Sequence, residues 1–176
     1  SQRPAENLFA GVDIPVLVKN PINPDLGLWL GAIERLYQAG IRKLGAIHRG
    51  FSSYVEMQFR NDPKWQIPIE LKRLLPALPL ICDPSHIAGS RQFIEPLSQM
   101  ATDLGIEGLI IESHIDPDHA LSDAKQQVTP EELCRILDRL KARNSPITGR
   151  DVKRHIARLR AEISQVDDKI LQDLAE

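Results

Sequence analysis

The sequence has few of the residues that mark specialised classes of protein. Its two cysteines, Cys82 and Cys134, are too few for a disulfide framework, and we expect both to be buried, reduced thiols. No apolar run approaches the roughly 18 residues that span a bilayer, and no basic, then apolar, leader opens the chain, so we expect a cytoplasmic protein without membrane association. The 22 Lys plus Arg against 24 Asp plus Glu, with 42% hydrophobic residues, instead describe an ordinary globular chain.

Four short apolar segments predict the strands of a parallel sheet. Their starts lie about 30 residues apart, which is the length of a strand–helix unit and much longer than a hairpin. Because the segments are almost continuously apolar, we expect helices on both faces of the sheet. The predicted strands span residues 14–19, 43–48, 78–83 and 108–112.

Helical spacing between these segments places the chain in the α/β class. It predicts helices over 25–39 and 91–104, and a third that begins after the capping residue Thr129. We predict a parallel (β/α)8 TIM barrel with about half of the barrel present, since a complete barrel usually needs about 250 residues. A smaller doubly wound sheet is the alternative, although no glycine-rich phosphate loop follows the first strand.

The composition changes after residue 142. We therefore predict a barrel domain at 1–142, a polar linker at 143–149 and a long helix at 150–176. Apolar residues recur in this helix at alternating steps of four and three, which favours packing on partner helices, as in a homodimer. Seven Lys or Arg lie between residues 141 and 160, but they fall between the apolar positions. A solvated helix face is thus favoured, and we expect no nucleic-acid partner.

Charged residues follow the predicted strands, at the edge where parallel α/β folds collect functional groups. Lys19 and Arg49 follow the first two strands and offer positive charge for a phosphate or carboxylate. His86, Glu112 and Asp123 follow the later strands and offer one nitrogen and two oxygen ligands, a set suited to Mn²⁺, Fe²⁺, Zn²⁺ or Mg²⁺. The alternatives are a structural histidine and a simple ion pair between Arg49 and Glu112.

In chain order, the motifs at these strand ends resemble those of one enzyme family. VLVKN, IHRG, DPSHIAGSR, IIESH and LSDAKQQVTPEEL resemble 3-deoxy-D-arabino-heptulosonate 7-phosphate (DAHP) synthase, in the short microbial type that is fused to a chorismate mutase. The resemblance covers about residues 11–140. The 3-deoxy-octulosonate 8-phosphate synthases share the barrel, but DPSH, ESH and LSDA together favour the heptulosonate enzyme. LRAEISQVDDKILQDLAE resembles the first helix of all-helical chorismate mutases.

The synthase resemblance implies a metal-dependent, aldol-like condensation of phosphoenolpyruvate with erythrose 4-phosphate, the first step of the shikimate pathway to aromatic amino acids. It implies that Lys19 is catalytic and binds phosphoenolpyruvate together with Arg49. It further implies that His86, Glu112 and Asp123 bind a divalent metal. Mn²⁺ is expected first, with Fe²⁺, Zn²⁺ or Co²⁺ as alternatives.

The mutase resemblance implies that Arg160 binds a carboxylate of chorismate during its conversion to prephenate. The opening QRPAENLF is similar to the ARTxxNPF stretch of the synthases, which would make Arg3 a phosphate ligand. The synthases' fourth metal ligand, a cysteine in a GPC motif, and their KPRTS-like loop have no counterpart here. We therefore expect part of a bifunctional enzyme, the C-terminal half of the barrel and the first mutase helix, and a non-catalytic fragment or assembly module as the alternative.

Overall fold

A computed structural model describes residues 14–55, 57–141 and Arg158. Among them, four parallel strands form one sheet in the order β1-β2-β3-β4. The strands are β1 (Val16–Lys19), β2 (Leu44–His48), β3 (Leu80–Cys82) and β4 (Gly108–Leu109). The helices are α1 (Leu26–Gln38), α2 (Gln66–Leu74), α3 (Pro84–Ala88), α4 (Ile94–Asp103) and α5 (Pro130–Arg139).

The chain divides into two compact units, Ser1–Arg143 and Asn144–Glu176. The structural description of the first unit covers the sheet and all five helices named above. In the second unit only Arg158 is described, and it is helical and exposed. The predicted linker, the rest of the predicted C-terminal helix and Arg160 lie outside the described residues, so the helix and its role in a dimer remain predictions.

The predicted strands and helices are confirmed in position and direction, and most of them are shorter than predicted. The Asp25 side chain accepts a hydrogen bond from the Leu28 amide at 3.1 Å and starts α1, and Thr129 accepts one from Glu132 at 3.2 Å and starts α5. The fourth strand ends at Leu109 instead of residue 112 because its neighbour β3 ends at Cys82. Helices α2 and α3 were not predicted.

Among the described residues the helices cover one face of the sheet, and the other face is partly exposed, so the covering of both faces remains a prediction. Side chains on the covered face, such as Ala46 and Cys82, are fully buried. The register aligns Leu17 with Gly45 on the opposite face, where Leu17 is 46% exposed and Ile110 is 40% exposed. An apolar face with this exposure is a surface that folded proteins normally cover.

The two cysteines differ in environment. Cys82 is buried, and its burial, aided by the negative charge of Asp83, raises the pKa of its thiol. Cys134 is exposed, so the prediction that both are buried was wrong. Cys134 lies on the solvent-facing side of α5, whereas Ile136 of the same helix is buried. Both are free thiols.

None of the helices in the described part of the chain combines the length and the apolar character that crossing a membrane requires.

A histidine at the end of β2 lies inside a cluster of aromatic rings. His48 is completely buried, and its ring centroid lies 6.4 Å from Trp29, 5.7 Å from Phe51 and 5.2 Å from Trp65. Neither ring nitrogen has a hydrogen-bond partner among the described residues. Burial lowers the pKa of His48 from 6.5 to about 4, and the nearby backbone of Pro63 and, to a smaller extent, the charge of Asp83 partly offset this effect. The imidazole is therefore neutral at pH 7.

This pKa predicts a loss of stability in mild acid. The unfolded chain takes up a proton at His48 near pH 6.5 and the folded chain only near pH 4, so the free energy of unfolding should fall as the pH drops through this window. The loss should be on the order of 3 kcal/mol, and His48→Leu should remove it. Urea unfolding from pH 7 to pH 4 measures it, with His119→Leu at an exposed position as the control. An unchanged pH profile in His48→Leu would contradict the assignment.

Candidate active site

Five of the residues predicted to be functional lie at the carboxyl edge of the sheet. Lys19 is the last residue of β1, and Arg49 directly follows β2. His86 lies in α3, which one residue, Asp83, separates from the end of β3. Glu112 follows β4, and Asp123 lies in the long loop between β4 and α5. Parallel pairing of the strands thus brings five distant parts of the sequence to one edge.

Three of these residues form a cluster with the composition of a metal site. One ligand atom from each of His86, Glu112 and Asp123 lies within 4.8 Å of the other two. His86 Nε2 lies 3.8 Å from Glu112 Oε1. His86 and Glu112 are half-buried and Asp123 is exposed. One imidazole nitrogen and two carboxylates are a donor set that fits a divalent cation.

The other nitrogen of His86 faces a buried carboxylate. His86 Nδ1 lies 2.8 Å from Asp83 Oδ2, and Asp83 Oδ1 accepts a hydrogen bond from the His86 backbone amide at 3.1 Å. A carboxylate next to the second ring nitrogen of a histidine recurs at many metal sites, and its position here leaves Nε2 for the metal. This second observation supports the fit of the cluster to a cation.

Asp83 also links the histidine to the lysine. Lys19 Nζ donates a hydrogen bond to Asp83 Oδ2 at 3.1 Å. The Asp83 side chain is only 3% exposed, whereas that of Lys19 is 42% exposed. The buried acid therefore holds the ammonium group beside the histidine while leaving it accessible to an anionic ligand.

A buried asparagine sets the position of Arg49. The Asn20 side chain donates hydrogen bonds to the carbonyls of Pro21 and Gly50, both at 2.8 Å, and accepts one from the Arg49 amide at 2.7 Å. Asn20 is 4% exposed. It thereby ties the loop after β1 to the loop after β2 and fixes the backbone from which Arg49 extends.

Asp123 lies in a strongly positive environment. A hydrogen bond from Arg60 at 2.8 Å lowers the pKa of its carboxyl group, and the charges of Arg60, His86 and Arg49 act in the same direction, while slight burial opposes them. The Asp123 carboxylate is thus ionised near neutral pH.

Several residues of this site were missed by the sequence analysis. Ser85 is fully buried and its hydroxyl accepts a hydrogen bond from the Glu112 amide at 3.0 Å. Asp83 stood in the DPSH motif but received no role. Arg60 and Gln126 also contact the cluster. Arg60 carried no local signal, because it lies in a loop 63 residues before its partner Asp123. Arg3 and Arg160 lie outside the described residues, and their roles remain untested.

Comparison with known proteins identifies the family. The sequence profile of the DAHP synthetase I family matches residues 2–147. The chain belongs to this family. The resemblance stated from the strand-end motifs is thereby confirmed at the level of the family.

Individual relatives agree with this assignment. The chain is 31% identical over 127 residues to the phospho-2-dehydro-3-deoxyheptonate aldolase of Thermotoga maritima. The match covers 72% of this chain and 37% of that relative. It is 43% identical over 125 residues to the 2-dehydro-3-deoxyphosphooctonate aldolase of Desulfotalea psychrophila, covering 62% and 41% of the two chains.

A solved structure shows the same relationship in three dimensions. A truncated form of 3-deoxy-D-arabino-heptulosonate 7-phosphate synthase from Thermotoga maritima matches 77% of this chain and 52% of its own, with a TM-score of 0.66 and 28% identity. The chain thus spans about half, or less, of the length of these relatives.

The position of Asn20 predicts a large effect of its removal. Asn20→Ala deletes one buried and two partly buried hydrogen bonds and leaves the Gly50 carbonyl and the Arg49 amide without this partner. We expect the free energy of unfolding to fall by about 2–4 kcal/mol. Urea unfolding measures this change, with Asn23→Ala at an exposed loop position as the matched control. Equal stabilities of the two variants would contradict the role of Asn20.

Proposed function

We propose that this chain is part of a DAHP synthase, which condenses phosphoenolpyruvate with erythrose 4-phosphate. The observation that carries the proposal is the convergence of Lys19 and Arg49 with the His86, Glu112 and Asp123 cluster at one sheet edge. It occurs in a member of the DAHP synthetase I family. Two cationic side chains beside a metal site suit the joining of an anionic enol donor to an aldehyde.

The cations bind and orient the donor in this proposal. Phosphoenolpyruvate carries a phosphate and a carboxylate, and Arg49 offers a planar fork that matches either group. Lys19 offers a compact charge that Asp83 holds in place. Binding both the phosphate and the carboxylate holds the enol carbon in one orientation. The entropy of bringing the two reactants together is then lost on binding and not in the reaction step.

The metal site serves the acceptor. His86, Glu112 and Asp123 would hold a divalent cation, of which Mn²⁺ is our first expectation and Fe²⁺, Zn²⁺ or Co²⁺ the alternatives. When bound, such a cation acts as a Lewis acid that polarises the carbonyl of the aldehyde. The carboxylate of Asp83 lies beside Nδ1 of His86, and Nε2 lies 3.8 Å from Glu112 Oε1.

We further propose that the chain contributes about half of a (β/α)8 barrel. Its four strands are all parallel, and one sheet face is exposed and apolar. The matched segment is only 37% of one relative and 41% of another. Covering the exposed face with further strands and helices would bury Leu17 and Ile110. We also propose that residues 150–176 belong to a fused chorismate mutase, in which Arg160 binds chorismate. The same helix would form a dimer, and the protein would be cytoplasmic.

A related reaction is the second candidate, because similarity to 2-dehydro-3-deoxyphosphooctonate aldolases is substantial. The two products differ by one carbon, so phosphoenolpyruvate must be joined to a four-carbon aldose phosphate for the heptulosonate and to a five-carbon one for the octulosonate. Turnover of the two aldose phosphates by the full chain distinguishes the candidates. Product from erythrose 4-phosphate alone supports DAHP synthase, and product from the five-carbon substrate alone contradicts it.

Metal binding provides a test that does not require turnover. The full chain should bind Mn²⁺ in a calorimetric titration, and His86→Gln should weaken binding at least about 100-fold because the metal loses a direct ligand. His119→Gln changes an exposed histidine in the neighbouring loop and serves as the matched control.

Equal Mn²⁺ affinity of His86→Gln and the unsubstituted chain would place the cation elsewhere. If the unsubstituted chain binds neither Mn²⁺ nor phosphoenolpyruvate, the chain functions as a non-catalytic module instead of an enzyme.

A further inference from the structure

Two residues outside the metal cluster form a continuous hydrogen-bonded connection between its two carboxylates. The side-chain amide nitrogen of Gln126 donates to Glu112 Oε2 at 2.8 Å. The amide oxygen of Gln126 accepts from Arg60 Nη1 at 2.9 Å, and the same Nη1 donates to Asp123 Oδ1 at 2.8 Å. We propose that Arg60 and Gln126 are positioning residues that set the distance between Glu112 and Asp123 and thereby the affinity of the site for its cation. This inference rests on the metal site of the proposed function.

The direction of each hydrogen bond supports this role. A guanidinium group only donates hydrogen bonds and an ionised carboxylate only accepts them, so the direction of each bond at Arg60, Glu112 and Asp123 is fixed. The amide of Gln126 is the one group that can accept from Arg60 and donate to Glu112 at the same time. Gln126 is 1% exposed, so its amide is fixed by these contacts and does not exchange them freely for solvent.

The connection leaves the required ligand atoms available. Gln126 binds Oε2 of Glu112, whereas Oε1 is the atom that lies 3.8 Å from His86 Nε2. Arg60 binds Asp123 through Oδ1, which is the oxygen of both the hydrogen bond and the ion pair between these two residues. Each carboxylate is therefore held through one oxygen, and its other oxygen is left for the cation.

The local backbone is built to allow this arrangement. Asp123 adopts a left-handed conformation with φ of 48°, which is unfavourable for a residue with a side chain and needs support from its contacts. Gly89 has φ of 68°, and a Cβ atom there would lie 2.4 Å from Cβ of Arg60. Glycine at position 89 thus permits the close approach of Arg60, whose amide donates to the Ala88 carbonyl at 3.2 Å.

A purely structural contact in the same loop provides the comparison. Arg91 donates to Asp118 at 2.6 Å, to the Gln127 carbonyl at 2.6 Å and to the Ala124 carbonyl at 2.9 Å. These contacts hold the loop that carries Asp123, but none of them involves a carboxylate of the cluster. Loss of Arg91 should therefore affect the stability of the loop, whereas loss of Arg60 or Gln126 should affect the cation.

The test is a calorimetric titration of the full chain with Mn²⁺ alone. Gln126→Met and Arg60→Met keep the approximate side-chain volume and remove the polar contacts, and each should weaken Mn²⁺ binding about 10- to 100-fold. Arg91→Met, the matched control, should lower the melting temperature while changing Mn²⁺ affinity less than threefold. The electron paramagnetic resonance spectrum of Mn²⁺ at saturation should also change in Gln126→Met and not in Arg91→Met, since a stability effect alone does not alter the ligand geometry.

Two different failures can be separated. No Mn²⁺ binding to the unsubstituted chain would overturn both the proposed metal site and this inference. Normal binding to the unsubstituted chain with equal affinity in Arg60→Met would overturn the inference alone. Arg60 is 49% exposed, so its substitution tests the role even if Gln126→Met does not fold.

Discussion

The parallel pairing of the four strands is the constraint on which the rest of this structure depends. It places the carboxyl end of every strand at one edge, where Lys19, Arg49 and the residues after β3 and β4 meet. Local sequence then adjusts each group: Asn20 fixes the start of the Arg49 loop, and the short helix α3 directs His86. Most of the functional side chains thus lie on loops, and the sheet holds the starting points of these loops close together.

Asp83 is the residue around which the charges of the site are arranged. It is a nearly buried carboxylate that contacts an exposed ammonium group on one side and an imidazole on the other. A buried acid of this kind needs positive partners, because its isolated charge would be costly to remove from water. The same requirement keeps Lys19 next to His86. The proposed binding of an anionic donor and of a cation is therefore organised around one residue that need not contact either.

The sequence predicted the strands and the cluster because both follow local rules. Apolar segments with regular spacing predict buried parallel strands, and DPSH, ESH and LSDA place ligand types directly after them. The support of the cluster could not be predicted. Arg60 and Gln126 are separated by 66 residues in the chain, and only the folded loops bring them into contact.

Crystals of the full chain soaked in Mn²⁺, with diffraction recorded at the manganese absorption edge, test the central claim most directly. The account predicts one strong anomalous peak within coordination distance of His86 Nε2 and of one oxygen each from Glu112 and Asp123. The opposite result would be a peak that avoids this cluster, or no peak at full soaking. Either would contradict the assignment of these three residues as the metal site.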